Sequence, residues 1–127
     1  EPGNPRSIGN TAALSAPLSP TEFALHIADR LGRVPQLIPG GPAEIRRVGL
    51  CTGGAQGYID QAIALGLDAY LSGEISEPTV HAAREGGIHY FACGHHATER
   101  YGVRALGEFL QQETGIDVQF VDIDNPA

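Results

Sequence analysis

The sequence contains no lysine, so all eight of its cations are arginines, set against 15 aspartates and glutamates. The resulting net charge at pH 7 is −7. A protein face that binds nucleic acid needs clustered cations against the phosphates, and the only adjacent pair in this sequence is Arg46-Arg47. This charge balance argues against a nucleic-acid-binding role.

Long hydrophobic runs and methionine are also missing. No apolar run is long enough to cross a bilayer and no secretory signal is visible, so we expect a cytoplasmic protein without membrane contact. The chain begins with Glu1 and contains no methionine at all. We therefore expect that Glu1 is not the native start of translation.

Cysteine is scarce, and the two that occur, Cys51 and Cys93, each end a predicted strand. We interpret them as buried, reduced thiols. A disulfide would require the two strand ends to lie side by side. A role as metal ligand is the minor alternative, because neither thiol belongs to a paired-cysteine zinc motif.

Proline and glycine are frequent near the N-terminus. Residues 1–18 contain three prolines and two glycines among small polar residues, a composition that cannot form a core by itself. We predict that residues 1–18 form an extended arm or linker. Residues 19–127 are then predicted to form one α/β domain, which is long enough for a real hydrophobic core.

The residues after this arm have the pattern of a helix start. Ser19 can cap the helix, Pro20 suits its first position, and Glu22 completes a capping box, while Gly32 ends the helical pattern. The elements that follow are strands at 36–38, 47–52, 69–72, 88–93 and 118–123 and helices at 56–65, after Ser76 and at 96–113. This alternation predicts βα units, with a mostly parallel sheet and flanking helices.

A candidate metal site follows the fourth predicted strand. His95 and Glu99 are four residues apart, so on a helix they share one face and could hold one transition-metal ion. Gly94 lets the strand turn sharply into that helix. Alone, such a pair is also typical of solvated residues at a helix start, so the site needs support from the rest of the chain.

That support comes from three consecutive strand ends that carry glycine and polar groups. In a parallel sheet these carboxyl ends emerge at one edge, where α/β proteins place their sites. Glu74, His95 and Glu99 are therefore expected to converge there. Glu74 could be a metal ligand, an anchor for a histidine or a general base, and a helix-capping carboxylate is an equally good interpretation.

These stretches together resemble a known family. They are Cys51-Thr52-Gly53-Gly54-Ala55-Gln56, Asp68-Ala69-Tyr70-Leu71-Ser72-Gly73-Glu74, Gly94-His95-His96-Ala97-Thr98-Glu99-Arg100 and the terminal Asn125-Pro126. The chain is similar over most of its length, from about Ser19 onward, to the YbgI-type, or Nif-three-like, family. Its members are often labelled GTP cyclohydrolase 1 type 2 homologs.

The resemblance implies a dinuclear metal centre between two intertwined α/β halves, in a protein that assembles into a hexameric ring. The motif's first histidine and its glutamate are the family's C-terminal metal ligands, and they correspond to His95 and Glu99. His96 falls where the family varies. Glu74 borders the family's metal cleft, which favours a supporting or acid–base role, and we assign it as the candidate catalytic residue.

The chain departs from this family in length, since members are about twice as long. Their N-terminal half supplies a paired-histidine motif and an aspartate that have no counterpart here, so this chain resembles the C-terminal half. Two ligands are fewer than the three protein groups that a catalytic metal usually needs. We therefore expect two divalent ions (zinc, manganese, iron or nickel) in the full-length protein, and weak or no binding by this chain alone.

Two functions follow from this interpretation. The first is half of a metal-dependent hydrolase acting on nucleotides or phosphate esters, inactive in isolation. The second is a non-enzymatic metal-binding scaffold or oligomerisation module, working as a homo-oligomer. The predicted last strand and the N-terminal arm are candidates for exchange with another half or subunit.

Overall fold

A five-stranded sheet with helices against it organises residues 8–127, the range that the computed structural model describes. A short 3-10 turn, Gln56–Tyr58, precedes the second helix. In chain order the elements are β1 (Asn10–Leu18), α1 (Pro20–Leu31), β2 (Gln36–Ile38), β3 (Ile45–Cys51), α2 (Ile59–Ala64), β4 (Ala69–Ser72), α3 (Glu77–Glu85), β5 (His89–Ala92) and α4 (His95–Thr114).

The strands are arranged in the order β1-β3-β4-β5-β2. The three central strands are parallel, with β4 pairing β3 on one side and β5 on the other. Both outer strands run antiparallel to their neighbours. The predicted α/β class is therefore confirmed, with a parallel centre that carries the three glycine-rich strand ends and an antiparallel strand at each edge.

The core lies on both faces of the sheet because neighbouring residues of a strand point to opposite sides. On β5, Phe91 packs edge-on against Phe23 of α1, with ring centroids 5.2 Å apart. Tyr90 points to the other face and meets Tyr70 of β4 beneath α2 and α3. Both β5 rings are fully buried, so the strand that leads to the candidate site is held rigidly.

The helix signals read from the sequence are present in the structure. Ser19 caps α1, its side chain accepts from the Glu22 amide, and the Glu22 carboxylate accepts in return from the Ser19 amide. The Ser19 hydroxyl also donates to the Glu22 carboxylate, and this bond, followed by that from the Ser19 amide, holds the pKa of the Glu22 carboxyl below its usual range. Gly32 ends α1 in the left-handed conformation, as does Gly115 at the end of α4.

The predicted arm needs a correction where the structure describes it. Residues 1–7 lie outside the described range, but Asn10–Leu18 form the edge strand β1, hydrogen-bonded to β3. The strand contains one proline, Pro17, which falls in the break of register between Ala13 and Leu18, and an edge strand tolerates a missing N–H there. The predicted boundary after residue 18 therefore does not separate an arm from the sheet.

The predicted strand at 118–123 is wrong, because residues 115–127 contain no regular element. A strand needs a neighbouring backbone to pair with, and this segment runs back along α4 instead of joining the sheet. The side chains of Phe120, Val121 and Ile123 are exposed. The apolar pattern that suggested a strand is real, but the described chain offers it no partner.

The cysteines are free thiols, as predicted, so the disulfide alternative is wrong. Cys93 is buried, and this burial raises the pKa of its thiol to about 12. Cys51 is partly buried, and its thiol pKa is also raised, mainly by burial and then by the nearby Glu99 carboxylate. A raised pKa disfavours the thiolate, which is the form that binds metals.

Among residues 8–127, no helix is both long and apolar enough to pass through a lipid bilayer.

His89 is buried at the start of β5 and ties the turn before β3 to the sheet. Its Nδ1 accepts from the amides of Gly40 and Gly41, 3.3 Å away, and its Nε2 lies 2.7 Å from the Pro42 carbonyl, to which it donates in the matching tautomer. Replacing it with leucine would leave three backbone groups without a partner.

We expect His89→Leu to lower the free energy of unfolding by about 3 kcal/mol, because buried backbone groups that lose their hydrogen bonds keep the full cost of desolvation. The measurement is urea unfolding followed by circular dichroism. The matched control is His26→Leu, since His26 is exposed on α1 and should change stability by less than about 0.5 kcal/mol. Equal effects of the two substitutions would contradict this role of His89.

Candidate metal centre

The candidate ligands project from the first turn of α4. Gly94 has a φ of +93°, which glycine adopts readily, and this lets the chain leave β5 and enter the helix at His95. The helix then places Glu99 one turn later on the same side. His95 Nε2 and Glu99 Oε2 are 3.0 Å apart, as the sequence spacing predicted.

This separation fits two donors that share one ion. In this structure the contact is a hydrogen bond between the imidazole and the carboxylate. Ligands that bind a zinc-like ion at about 2.1 Å lie roughly 3 to 3.5 Å from each other, so the same spacing is compatible with a shared ion. The side chains of His95 and Glu99 are each about half exposed, so the donors are accessible. Residues 8–127 contain no group of three or more histidine, cysteine or acidic side chains arranged to hold a metal.

Glu74 meets the other nitrogen of the same imidazole. Its Oε1 lies 2.6 Å from His95 Nδ1, a short distance typical of a charge-assisted hydrogen bond. The loop that carries Glu74 is itself fixed, because the buried hydroxyl of Tyr90 donates to the Glu74 backbone carbonyl. This geometry does not support the interpretation of Glu74 as a helix-capping carboxylate, because its carboxylate contacts His95.

The electrostatics of His95 follow from its position between two carboxylates. The hydrogen bond to Glu74 contributes most to raising the pKa of the imidazole above its usual value, and Glu99 adds to the effect. Because this pKa is raised on folding, the carboxylates stabilise the fold when His95 is charged, and that stabilisation is lost as the pH rises through the raised pKa. The two carboxylates, Glu74 and Glu99, therefore favour the protonated form of the His95 imidazole.

Glycines form the wall of this site. A Cβ on Gly53 would lie 2.2 Å from Glu99 Oε1 and 3.2 Å from His95 Nε2, and the residue has a φ of +66°. A Cβ on Gly73 would lie 2.8 Å from the Cα of His95 and 2.7 Å from the Gly53 carbonyl oxygen. The strand ends after β3, β4 and β5 are therefore in direct contact, as the edge rule predicted.

Two hydroxyl groups that the sequence analysis did not single out hold these loops together. Thr98, inside the motif that carries His95, accepts a hydrogen bond of 3.0 Å from the Gly53 amide. The buried Ser72 donates to the Gly53 carbonyl and accepts from the Ala55 amide. The sequence signal for Ser72 is its place at a glycine-rich strand end, and that for Thr98 is its place one turn into the helix that begins at His95.

The ligand pair opens into a cleft of about 840 Å³. Its far side is made by the segment after α4, which Asp122 pins in place by accepting from His96 at 3.0 Å and from Arg100 at 2.8 Å. These contacts, that with His96 first, hold the pKa of the Asp122 carboxyl below its usual range. His96 therefore faces this segment and not the ligand pair. The cleft is lined by Arg33, Val34, Gln36, Gly73, Glu74, Ile75, Ala92, Gly94, His95, His96, Glu99, Arg100, Val103, Phe120, Val121, Asn125 and Ala127.

Fold and site together define an α/β protein whose sheet brings two carboxylates and an imidazole together at its carboxyl edge. The sequence matches the model of the Duf34/NIF3 (NGG1p interacting factor 3) family over residues 4–126, and the chain belongs to this family. The resemblance noted from the three strand ends is thereby confirmed.

Individual relatives agree with this assignment. The GTP cyclohydrolase 1 type 2 homolog of Pseudomonas aeruginosa is 60% identical over 127 residues, which are 100% of this chain and 50% of that protein. The homolog of the same name from Haemophilus influenzae is 55% identical over 122 residues, 95% of this chain and 49% of that protein. The solved structure of protein ybgI, of unknown function, superposes with a TM-score of 0.91 at 49% identity, over 94% of this chain and 49% of ybgI. The chain thus spans about half the length of these relatives.

Proposed function

We propose that this chain supplies two ligands, His95 and Glu99, to a dinuclear metal centre that another half of the protein completes, and that the whole is a metal-dependent hydrolase of nucleotides or phosphate esters. The observation that carries the proposal is the 3.0 Å separation of the two donor atoms at an open cleft. Divalent ions bound there would activate water and stabilise a developing oxyanion. The chain spans about half the length of its relatives, which supports the proposal that further ligands come from the other half.

Glu74 has a defined part in this proposal. A histidine that binds metal through one nitrogen commonly donates its other N–H to a carboxylate, which fixes the ring orientation and makes the ligand more basic. The 2.6 Å contact between Glu74 and Nδ1 of His95 has this form and leaves Nε2 for the metal. Of the roles open to Glu74 from the sequence, we therefore favour the anchor of His95 over the general base and over a ligand.

We expect Glu74→Gln to weaken metal binding by roughly 10- to 100-fold in the full-length protein, because partners of this kind contribute about that much to affinity. The measurement is calorimetric titration with Mn²⁺ or Zn²⁺, together with the hydrolysis rate of a chromogenic phosphate ester. Glu77→Gln is the matched control, since Glu77 lies on α3 outside the cleft. Unchanged metal affinity with lost turnover would contradict the anchoring role and assign Glu74 as the general base.

A second candidate function, a non-enzymatic module that assembles through its surface, is favoured by α4. This helix is about 30 Å long, and Ala97 is its only fully buried residue. Val103, Leu106 and Phe109 are 64%, 55% and 57% exposed, and the following segment adds Phe120 and Val121. Apolar residues concentrated in this way mark an interaction surface.

The two functions are separable by the mass of the protein in solution and by its metal content. An assembly of the full-length protein that persists after metal removal, with no hydrolytic activity in either state, would favour the scaffold. We propose a homo-oligomer in both cases, and the hexamer implied by the resemblance is the specific expectation for a mass measurement. Loss of assembly on replacing Leu106 and Phe109 with serine would assign the interface to α4.

A further inference from the structure

Arg33 is a cation in the same cleft that the proposed metal chemistry does not use. It follows the Gly32 cap of α1, and its guanidinium lies directly against Gly94, the residue before His95. A Cβ built on Gly94 would be 2.7 Å from each of three atoms of Arg33, namely Cζ, Nε and Nη1. Equal distances of this kind mean that the flat face of the guanidinium rests on the glycine, which leaves its N–H edges directed elsewhere.

Only one of those edges has an acceptor among the described residues. Nη1 donates to the carbonyl oxygens of Ala127, at 3.1 Å, and Asn125, at 3.5 Å. Arginine has five N–H donors, so Nε and Nη2 retain three that find no acceptor within residues 8–127. No aspartate or glutamate side chain of this range lies within 4.0 Å of Arg33 either.

The other cation of the cleft is in a different situation. Arg100 donates to the Asp122 carboxylate and to the Leu31 carbonyl, and its guanidinium also lies 5.5 Å from the centre of the Tyr101 ring. Its charge and much of its hydrogen-bonding capacity are therefore used within the fold. Arg33 is the arginine lining the cleft that has no acidic side chain as a partner among residues 8–127.

We propose that Arg33 binds the phosphate group of a small-molecule substrate through Nε and Nη2, next to the metal-ligand pair. The Nε–Nη2 edge presents two parallel donors, which match two oxygens of a phosphate. A cleft of about 840 Å³ accommodates a molecule of nucleotide size. This inference rests on the proposed function for the identity of the reacting centre, but the phosphate contact itself does not require a metal.

The remaining lining of the cleft fits the same kind of molecule. Glu74 and Glu99 lie at one end and would repel a bare phosphate, whereas Arg33 attracts it. Val34, Phe120 and Val121 supply apolar surface for the uncharged part of the substrate. Arg33 would therefore determine where the phosphate lies and, through it, which bond comes close to His95 and Glu99.

The test is a titration of the 127-residue chain with inorganic phosphate, followed by amide chemical shifts, in EDTA so that no metal contributes. We expect Arg33→Gln to weaken phosphate binding at least roughly tenfold, because hydrogen bonds to charged groups have that effect on affinity. The phosphate affinity of Arg33→Lys should fall between those of the wild type and Arg33→Gln, since lysine keeps the charge but loses the paired donors. Arg30→Gln is the control, because Arg30 is exposed on α1, lies outside the cleft and carries the same charge.

Several outcomes would overturn the inference. They are absence of phosphate binding by the wild-type chain, retention of wild-type affinity by Arg33→Gln, and a loss of affinity in Arg30→Gln as large as in Arg33→Gln. Acetate binding as tightly as phosphate would overturn the assignment to a phosphate group.

The metal proposal is tested separately. Arg33→Gln in the full-length protein should bind Mn²⁺ as the wild type does, so a failed metal site and a failed phosphate contact give different results. If Arg33→Gln does not fold, as judged by circular dichroism, the comparison of Arg33→Lys with the wild type decides the question.

Discussion

Gly73→Ala is expected to lower the free energy of unfolding by about 3 kcal/mol and to remove metal binding together with it. The added methyl group would lie 2.7 Å from the Gly53 carbonyl oxygen and 2.8 Å from the Cα of His95. Both neighbours are backbone atoms, so neither can rotate away, and the loops after β3, β4 and β5 must separate. The separation moves His95 out of line with Glu74 and Glu99.

The measurements for Gly73→Ala are urea unfolding and a metal titration of the full-length protein. Gly57→Ala is the control, because a Cβ there would meet nothing within 4 Å and the residue lies in the 3-10 turn before α2. Both substitutions add the same methyl group, so the difference between their free energies of unfolding should equal the whole loss of about 3 kcal/mol expected for Gly73→Ala. A stable Gly73→Ala variant with normal metal binding would mean that the three strand ends do not pack as closely as described.

His95→Ala is expected to reduce the metal affinity of the full-length protein by at least about 100-fold, since removal of a ligand should exceed the effect of removing a ligand's hydrogen-bond partner. The isolated chain should bind weakly before the change and not measurably after it. Titration calorimetry with Zn²⁺ or Mn²⁺ and elemental analysis of the purified protein are the measurements. Tight binding by the isolated chain that survives His95→Ala would refute the metal proposal.

The neighbouring histidine provides an exacting control for this experiment. His96 donates to the Asp122 carboxylate, 3.0 Å away, and faces the segment after α4. His96→Ala removes an imidazole of the same kind from the adjacent position and should leave metal affinity within about twofold, because it removes no donor from the pair. Equal losses in both variants would show that the effect comes from the helix start as a whole.

The candidate site could be predicted from the sequence because its parts are local. The spacing of His95 and Glu99 fixes their shared helix face, and each strand end is marked by glycine. Convergence of these ends follows from the parallel arrangement of β3, β4 and β5, which the alternation of elements predicted. The contact of Glu74 with one particular nitrogen of His95 could not be predicted, since it depends on a loop position held by the Tyr90 hydroxyl.

Strands in the N- and C-terminal segments could not be predicted correctly from the sequence, because a strand exists only where a neighbouring strand pairs with it. Asn10–Leu18 carries the composition of a linker, yet it pairs with β3, whereas residues 118–123 have the pattern of a strand and pair with nothing in the described chain. On α4 the side chains of Val103, Leu106 and Leu110 are exposed among residues 8–127.

The antiparallel edge strands limit how copies of this protein can join. β2 is only three residues long and lies between Pro35 and Pro39, while β1 contains Pro17 and a break in register between Ala13 and Leu18. Short edges, irregular register and missing amide protons all oppose the addition of a foreign strand. Neither edge strand, β1 or β2, therefore favours the addition of further strands into a fibril. Copies of this protein are expected to meet through their side chains and not through backbone pairing.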